Sequence, residues 1–207
     1  MIAIVNYGVG NLGSLANMLK KVRAHGLVTS KPEDIAAADK LILPGVGAFD
    51  NGMTRLHESR LIPVLADRVA AGTPLLGVCL GMQMLARGSE EGKLAGLGWL
   101  DADVVRLRPS GATREGRAHK VPHMGWNEVS PTKGHPLVND IDPQARFYFV
   151  HSYHVTCRNT EDVLAYADYG GQFVAAVARD NVMGVQFHPE KSHRFGMWLL
   201  GNFAERC

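Results

Sequence analysis

The chain has 207 residues, of which 46% are hydrophobic, and this size can bury a full core within one domain spanning 1–207. Its net charge of +2, from 22 basic and 20 acidic residues, gives no overall field and argues against a nucleic-acid partner. No basic leader precedes the first apolar residues and no stretch approaches about 18 uninterrupted apolar residues, so the sequence predicts a cytoplasmic protein without a membrane span.

The first half of the chain alternates short apolar runs with helical patterns. Strands are predicted at residues 1–7, 40–43 and 74–78, and helices at 12–25 and 61–71. Continuous apolar strands that alternate with helices predict a parallel sheet covered on both faces.

The second half has a different pattern, in which strand-like segments are joined by Gly, Asn and Pro turns. These segments are Asp103–Leu107, Arg146–Val150, Val163–Tyr169, Phe173–Ala178 and Val182–Phe187. A helix is predicted at about 193–205, and the basic segment 106–120 is predicted to be a solvated loop. The predicted fold class is α/β: a single domain with a mostly parallel central sheet, helices on both faces, and a smaller mixed or antiparallel sheet.

Three glycines after the first strand match the dinucleotide-binding fingerprint. The segment Gly8-Val9-Gly10-Asn11-Leu12-Gly13 has the required spacing and opens a predicted helix. The acidic residue that should end the second strand is missing, because Val28-Thr29-Ser30 is followed by Lys31-Pro32. An NAD-binding module is therefore the weaker hypothesis for this chain.

A cysteine between two glycines follows the strand at 74–78. Cys79 has Gly77 and Gly81 two positions away on either side, the spacing of a nucleophile elbow, where a strand turns sharply into a helix. Backbone N–H groups and the helix dipole favour a thiolate at such a position. A lone cysteine among apolar residues also fits ordinary core packing.

A histidine and a glutamate end the last predicted strand. Side chains at i and i+2 of an extended segment leave on the same face, so Glu190 can reach the ring of His188. Pro189 biases His188 toward extended geometry. With Cys79 the pair supplies the nucleophile, base and carboxylate of a catalytic triad.

A second glycine-lined turn lies at the end of the strand at 40–43. In Pro44-Gly45-Val46-Gly47 a backbone N–H can face a developing oxyanion, with the N–H of Leu80 as a second donor. The same residues fit an ordinary strand-to-helix turn. Val46, Gly47 and Leu80 are the predicted oxyanion-hole residues.

The remaining polar and aromatic clusters do not indicate a metal or another cofactor. Only three cysteines occur, at scattered positions, and His151 and His154 lack a ligand pattern. Trp126 in the His123–Asn127 segment fits either a core or a surface position. The aromatic segment Phe147–His154 is predicted to pack its rings and to line a pocket with its polar tips.

The motifs GVCLGMQ, PGVG and QFHPEKS, in this order, resemble those of the class I (triad-type) glutamine amidotransferases over nearly the whole chain. The segments NYGVGN and HMGWN, with the lysine after Glu190, narrow the resemblance to members that serve histidine biosynthesis. In those members ammonia passes to a (β/α)₈-barrel synthase subunit that uses a phosphoribosyl-aminoimidazole-carboxamide intermediate.

The resemblance implies a role for each matching residue. Cys79 would attack the side-chain amide of glutamine, His188 would carry the proton, and Glu190 would hold the imidazole. The glutamine would be bound by Gln83, Tyr148, Ser152 and Tyr153. The barrel subunit, as partner in a heterodimer, would face Asn11, Trp126 and Lys191.

Two rival functions remain open from the sequence. The glutaminase of pyridoxal phosphate synthase or of anthranilate synthase would share the triad but should lack the Met-Gly-Trp-Asn segment. A non-catalytic binding subunit would retain its function when Cys79 is replaced by alanine.

Overall fold

Six helices and twelve strands make up the fold in a computed structural model that describes residues 1–112, 116 and 118–207. The strands are β1 (Ile2–Val5), β2 (Gly26–Thr29), β3 (Lys40–Gly45), β4 (Leu75–Cys79), β5 (Ala102–Arg106), β6 (His123–Glu128), β7 (Ser130–Pro131), β8 (Arg146–His151), β9 (Tyr153–Cys157), β10 (Val163–Asp168), β11 (Gln172–Arg179) and β12 (Val182–Val185). The helices are α1 (Leu12–Lys21), α2 (Pro32–Ala36), α3 (Phe49–Glu58), α4 (Ile62–Ala70), α5 (Leu80–Met84) and α6 (His193–Arg206). Arg114 and Arg117 of the predicted basic loop lie outside the described residues.

Eight of the strands form one central sheet in the order β2-β1-β3-β4-β12-β11-β10-β7. The first five are mutually parallel, and β11, β10 and β7 continue the same sheet in antiparallel pairing. The pairs β5-β9 and β6-β8 form two small antiparallel sheets. The predicted α/β fold with a mostly parallel sheet is confirmed.

Side chains of the central strands alternate between two cores, because successive residues of a strand point to opposite faces. Ile2 and Ile4 of β1 pack on the side covered by α1 and α6, whereas Ala3 and Val5 pack on the side covered by α2 to α5. Both faces of the sheet are therefore buried, which explains the uninterrupted apolar runs.

The register of three neighbouring strands determines where the functional residues lie. Gly45 at the end of β3 pairs with Cys79 at the end of β4, and Val78 of β4 pairs with Val185 at the end of β12. The segments that follow these strands are therefore brought to one edge of the sheet, where parallel sheets bind ligands.

Several boundaries differ from the sequence predictions. The first helix ends at Lys21 rather than residue 25, since Arg23 has a φ of 60° that no helix accommodates. The strand predicted to reach Phe187 ends at Val185. Strand β6 and helix α3 were not predicted. None of the helices formed by the described residues has the length and apolar character needed to cross a membrane.

Candidate active site

Cys79 occupies a sharp turn between β4 and α5. Its φ of 54° and ψ of −109° are strained for a non-glycine residue, and such strain persists only where the surrounding structure enforces it. A Cβ on Gly77 would lie 2.8 Å from the backbone nitrogen of Met82, and one on Gly81 would overlap the carbonyl oxygen of Leu43. The predicted need for glycine on both sides of the cysteine thus has a steric cause.

His188 and Glu190 follow β12 and form a buried pair. His188 Nδ1 lies 2.8 Å from Glu190 Oε1, and both side chains are 2% exposed. Glu190 belongs to a single 3₁₀ turn, Pro189–Lys191, rather than to the extended segment predicted, while His188 itself is extended. The turn shortens the path between the two side chains.

Backbone contacts hold His188 in place. Its N–H donates to the Tyr148 carbonyl oxygen at 2.9 Å, and the Ser192 hydroxyl donates to the His188 carbonyl oxygen at 2.6 Å. The same hydroxyl accepts a hydrogen bond from the Tyr148 N–H at 3.0 Å. Strand β8 and the residue before α6 therefore fix the backbone that carries the His188 ring.

The charge state of His188 is set by its two acidic neighbours. Burial alone lowers the pKa of an imidazole, but hydrogen bonding and negative charge from Cys79 and Glu190 outweigh it and raise the pKa of His188 to about 9. The imidazolium is therefore the stable form of the His188 ring at neutral pH.

Replacing Cys79 with alanine should lower the pKa of His188, because only Glu190 then opposes the effect of burial. The measurement is an NMR titration of the His188 ring in the wild-type protein and in Cys79→Ala. We expect the midpoint to fall by at least about one pH unit. Equal midpoints in the two proteins would mean that the cysteine carries no negative charge near the ring.

Most of the predicted site residues line one cavity of about 370 Å³. Cys79 and His188 lie on its wall, as do the predicted oxyanion residues Val46, Gly47 and Leu80. Gln83, Ser152, Tyr153 and Lys191 line it as well. The two distant halves of the predicted triad are thus brought into one pocket of a size suited to a small molecule.

Four of the predicted residues do not line this cavity. Glu190 is buried and contacts His188 instead, and the other three lie outside the pocket. Tyr148 supports it from outside, with the Lys191 ammonium 5.6 Å from its ring centroid. Trp126 is 45% exposed and stacks on His193, and Asn11 is the residue directly before α1. These side chains belong to the outer surface rather than to the pocket.

The sequence analysis missed two residues of the site. Glu91 lines the cavity, and its carboxylate accepts a hydrogen bond from the Phe49 N–H at 2.9 Å; its exposed loop gave no recognisable pattern. Gln186 is fully buried, with its side-chain nitrogen 3.7 Å from Cys79 Sγ. A glutamine inside an apolar strand was a usable signal, because a buried amide needs specific partners.

The glycine segment before α1 has a packing role in the structure. Gly10 has a φ of 116°, and a Cβ there would lie 3.0 Å from the side chain of Pro44. The turn thus packs against the end of β3. Among residues 1–112, 116 and 118–207, no group of three His, Cys, Asp or Glu side chains is placed to hold a metal ion.

Comparison with known proteins gives a consistent picture. A family model described as glutamine amidotransferase class-I matches residues 3–206. The chain is 54% identical to imidazole glycerol phosphate synthase subunit HisH 2 of Pseudomonas aeruginosa, covering 99% of both chains, and 48% identical to the Methanococcus maripaludis protein of the same name, covering 100% of both. Among solved structures, a glutamine amidotransferase from Thermotoga maritima matches with a TM-score of 0.65 at 16% identity, covering 96% of this chain and 80% of that one.

Proposed function

The chain belongs to the class I glutamine amidotransferase family, and from this premise we propose that it is the glutaminase subunit of an imidazole glycerol phosphate synthase in histidine biosynthesis. The observation that supports this most directly is that Cys79 and His188 meet at the wall of one cavity, while the buried Glu190 carboxylate lies 2.8 Å from His188 Nδ1. Each member of the triad meets a different requirement of the chemistry: a nucleophile, a proton carrier and an orienting carboxylate.

In the first half-reaction the Cys79 thiolate attacks the side-chain carbonyl carbon of glutamine. His188, already protonated, donates its proton to the amide nitrogen, the carbon–nitrogen bond breaks, and ammonia leaves. A glutamyl thioester remains on the sulfur.

In the second half-reaction the histidine acts as a base. Once the thioester has formed, the negative charge on sulfur is gone and only Glu190 opposes the effect of burial on the pKa of His188. The neutral ring then takes a proton from water, and the resulting hydroxide attacks the thioester. As the carbon–sulfur bond breaks, the thiolate re-forms on Cys79 and the product leaves with a new side-chain carboxyl group, which loses its proton to solvent to give glutamate.

The turn at the end of β3 is the proposed oxyanion hole. The N–H groups of Val46 or Gly47 and of Leu80 would donate to the oxygen that becomes negative in each tetrahedral intermediate. Gly47 has a φ of 91°, and a Cβ there would meet no atom within 4 Å, so the requirement for glycine is conformational. A glycine peptide of this kind can rotate to change which backbone group faces the cavity.

Polar groups on the cavity wall account for recognition of an amino acid. We assign Ser152 and Tyr153 to the α-carboxylate end and Glu91 to the α-ammonium group, because a carboxylate complements that charge. Gln83 donates to the Tyr153 carbonyl oxygen at 2.9 Å and so also fixes this segment. Tyr148 would contribute through its backbone contact to His188.

The proposed partner is a (β/α)₈-barrel synthase subunit that receives the ammonia. Met124 and Trp126 lie on the same face of β6 and are 63% and 45% exposed, an unusual exposure for large apolar side chains. We place Asn11 and Lys191 on the same docking surface. Covering this surface would also separate the cavity from bulk solvent.

The test is glutamine hydrolysis by the isolated chain and by its complex with the barrel subunit, in the presence and absence of the barrel's nucleotide ligand. We expect a weak glutaminase in isolation and an increase of about 10²-fold or more in the ligand-loaded complex, the effect of gaining an oxyanion donor. Ammonia should then appear in the product of the barrel subunit. Full activity of the isolated chain would exclude activation by the ligand-loaded barrel subunit. Ammonia transfer only to pyridoxal phosphate synthase or only to anthranilate synthase would assign the chain to that enzyme.

A further inference from the structure

The amide of Gln186 lies directly beside the nucleophile. Val185 at the end of β12 pairs with Val78 of β4. The residues that follow these two, Gln186 and Cys79, are therefore neighbours at the edge of the sheet. The Gln186 side chain is fully buried, and its backbone N–H donates to the Ala175 carbonyl oxygen at 2.8 Å. Its terminal nitrogen is 3.7 Å from Cys79 Sγ.

The orientation of this amide follows from its neighbours. The Tyr153 carbonyl oxygen can only accept, so the Gln83 atom 2.9 Å away must be the NH₂ nitrogen. That same nitrogen lies 2.9 Å from the Gln186 side chain, where it requires an acceptor. The Gln186 oxygen therefore faces Gln83, and its NH₂ group is left to face the sulfur.

A hydrogen-bonded pair of buried histidines contacts the same Tyr153 carbonyl oxygen from its other side, through His151. His151 Nδ1 lies 2.9 Å from the Tyr153 carbonyl oxygen and must donate to it, so a neutral ring leaves Nε2 as an acceptor. His123 Nδ1, at 3.1 Å, then donates to that atom. Burial holds the pKa of His151 near 3 and that of His123 near 4, which keeps both rings neutral at physiological pH.

These hydrogen bonds end on the strand that carries the exposed apolar residues. The remaining nitrogen of His123 lies 3.5 Å from the side-chain nitrogen of Asn127, which also donates to the Asp168 carbonyl oxygen at 2.7 Å. Asn127 is the neighbour of Trp126 on β6. From Asn127 to Cys79, each contact has one allowed donor and one allowed acceptor.

We propose that Gln186 is a positioning residue for the nucleophile: its N–H donates to Cys79 Sγ, stabilises the thiolate, and is held in that direction by Gln83 and the Tyr153 carbonyl oxygen. The contacts of Asn127, His123 and His151 hold that carbonyl oxygen in place from its other side. The proposal rests on the proposed function, since a donor to sulfur matters only where the thiolate reacts. A buried anion without such donors would be strongly disfavoured.

The experiment measures the rate at which iodoacetamide alkylates Cys79 as a function of pH, in the whole protein and without glutamine or partner. Burial raises the pKa of Cys157 to about 12 and that of Cys207 to about 11, so these thiols react slowly below pH 9 and peptide mapping isolates Cys79. The titratable groups that face the sulfur, His188 and Tyr7, are unchanged in every variant.

Gln186→Met is the central variant, because it keeps the length of the side chain and removes the donor. Gln186→Glu removes the donor and adds an acid. Each should move the alkylation midpoint to higher pH by about one unit, since the lost hydrogen bond stabilised the charged form of the sulfur. His123→Phe should cause a smaller shift in the same direction.

Asn202→Asp is the matched control. It changes another buried amide into an acid, at a site where Asn202 donates to the Leu137 and Asn139 carbonyl oxygens far from the sulfur, and it should leave the midpoint unchanged. A wild-type midpoint in the range of an ordinary thiol would overturn the proposed function itself. If the alkylation midpoint of the wild-type protein is low and Gln186→Met does not move it, only the role of Gln186 is overturned. If His123→Phe leaves the midpoint unchanged, the histidines have no part in positioning Gln186.

Discussion

Glutamine hydrolysis should fall by about 10⁴-fold or more when Cys79 is replaced by alanine. The reason is that no other thiol among the described residues lines the pocket that holds His188, so the covalent route is lost as a whole. The measurement is glutamate formation by the complex with the barrel subunit. Synthesis from added ammonia should persist in the same complex, because that reaction does not use the triad.

Cys157→Ser is the control for this experiment. Its thiol is partly buried in β9, away from the cavity, and its pKa is raised to about 12 by burial, so it has no place in the reaction. Activity should stay within about a factor of two of wild type, as expected for a conservative substitution outside the active site. Retention of glutamine-dependent synthesis in Cys79→Ala would instead support the non-catalytic binding subunit considered from the sequence.

Gly81→Ala should destabilise the protein strongly. The new Cβ would overlap the carbonyl oxygen of Leu43. Leu43 lies in β3 and Gly81 in α5, and both segments are packed on each side. Because neither segment can move without opening the β3–β4 pair, we expect a loss of about 3 kcal/mol or more in the free energy of unfolding. Urea denaturation monitored by circular dichroism measures it.

Gly201→Ala gives the matched comparison in the same assay. Gly201 lies within α6, and a Cβ there would meet no atom within 4 Å. Alanine is the better helix former, so this variant should be stabilised by about 0.5–1 kcal/mol. Equal stability of the two variants would show that the backbone at Gly81 yields, and that the elbow is less constrained than the packing indicates.

The helices and strands that could be predicted from the sequence are those whose stabilising pattern lies within a few neighbouring residues. Strands β1, β3 and β4 and helices α1 and α4 were predicted because each carries a hydrophobic pattern that is complete within the element. Strand β6 was missed because polar and aromatic residues interrupt its pattern, and its pairing with β8 is not identifiable from neighbouring residues. Glu91 was missed for a related reason: its contact to Phe49 joins two loops.

The sequence by itself determined the chemistry and the local geometry of the nucleophile. The turn at Cys79 is dictated by glycines two positions away, because steric clashes act over a few residues. Only the tertiary structure decided that β12 lies against β4, which places Gln186 beside a cysteine 107 positions earlier and brings His188 to the same cavity. Strand order and register arise from burying both faces of the sheet at once, and that condition involves the whole chain rather than any one segment of it.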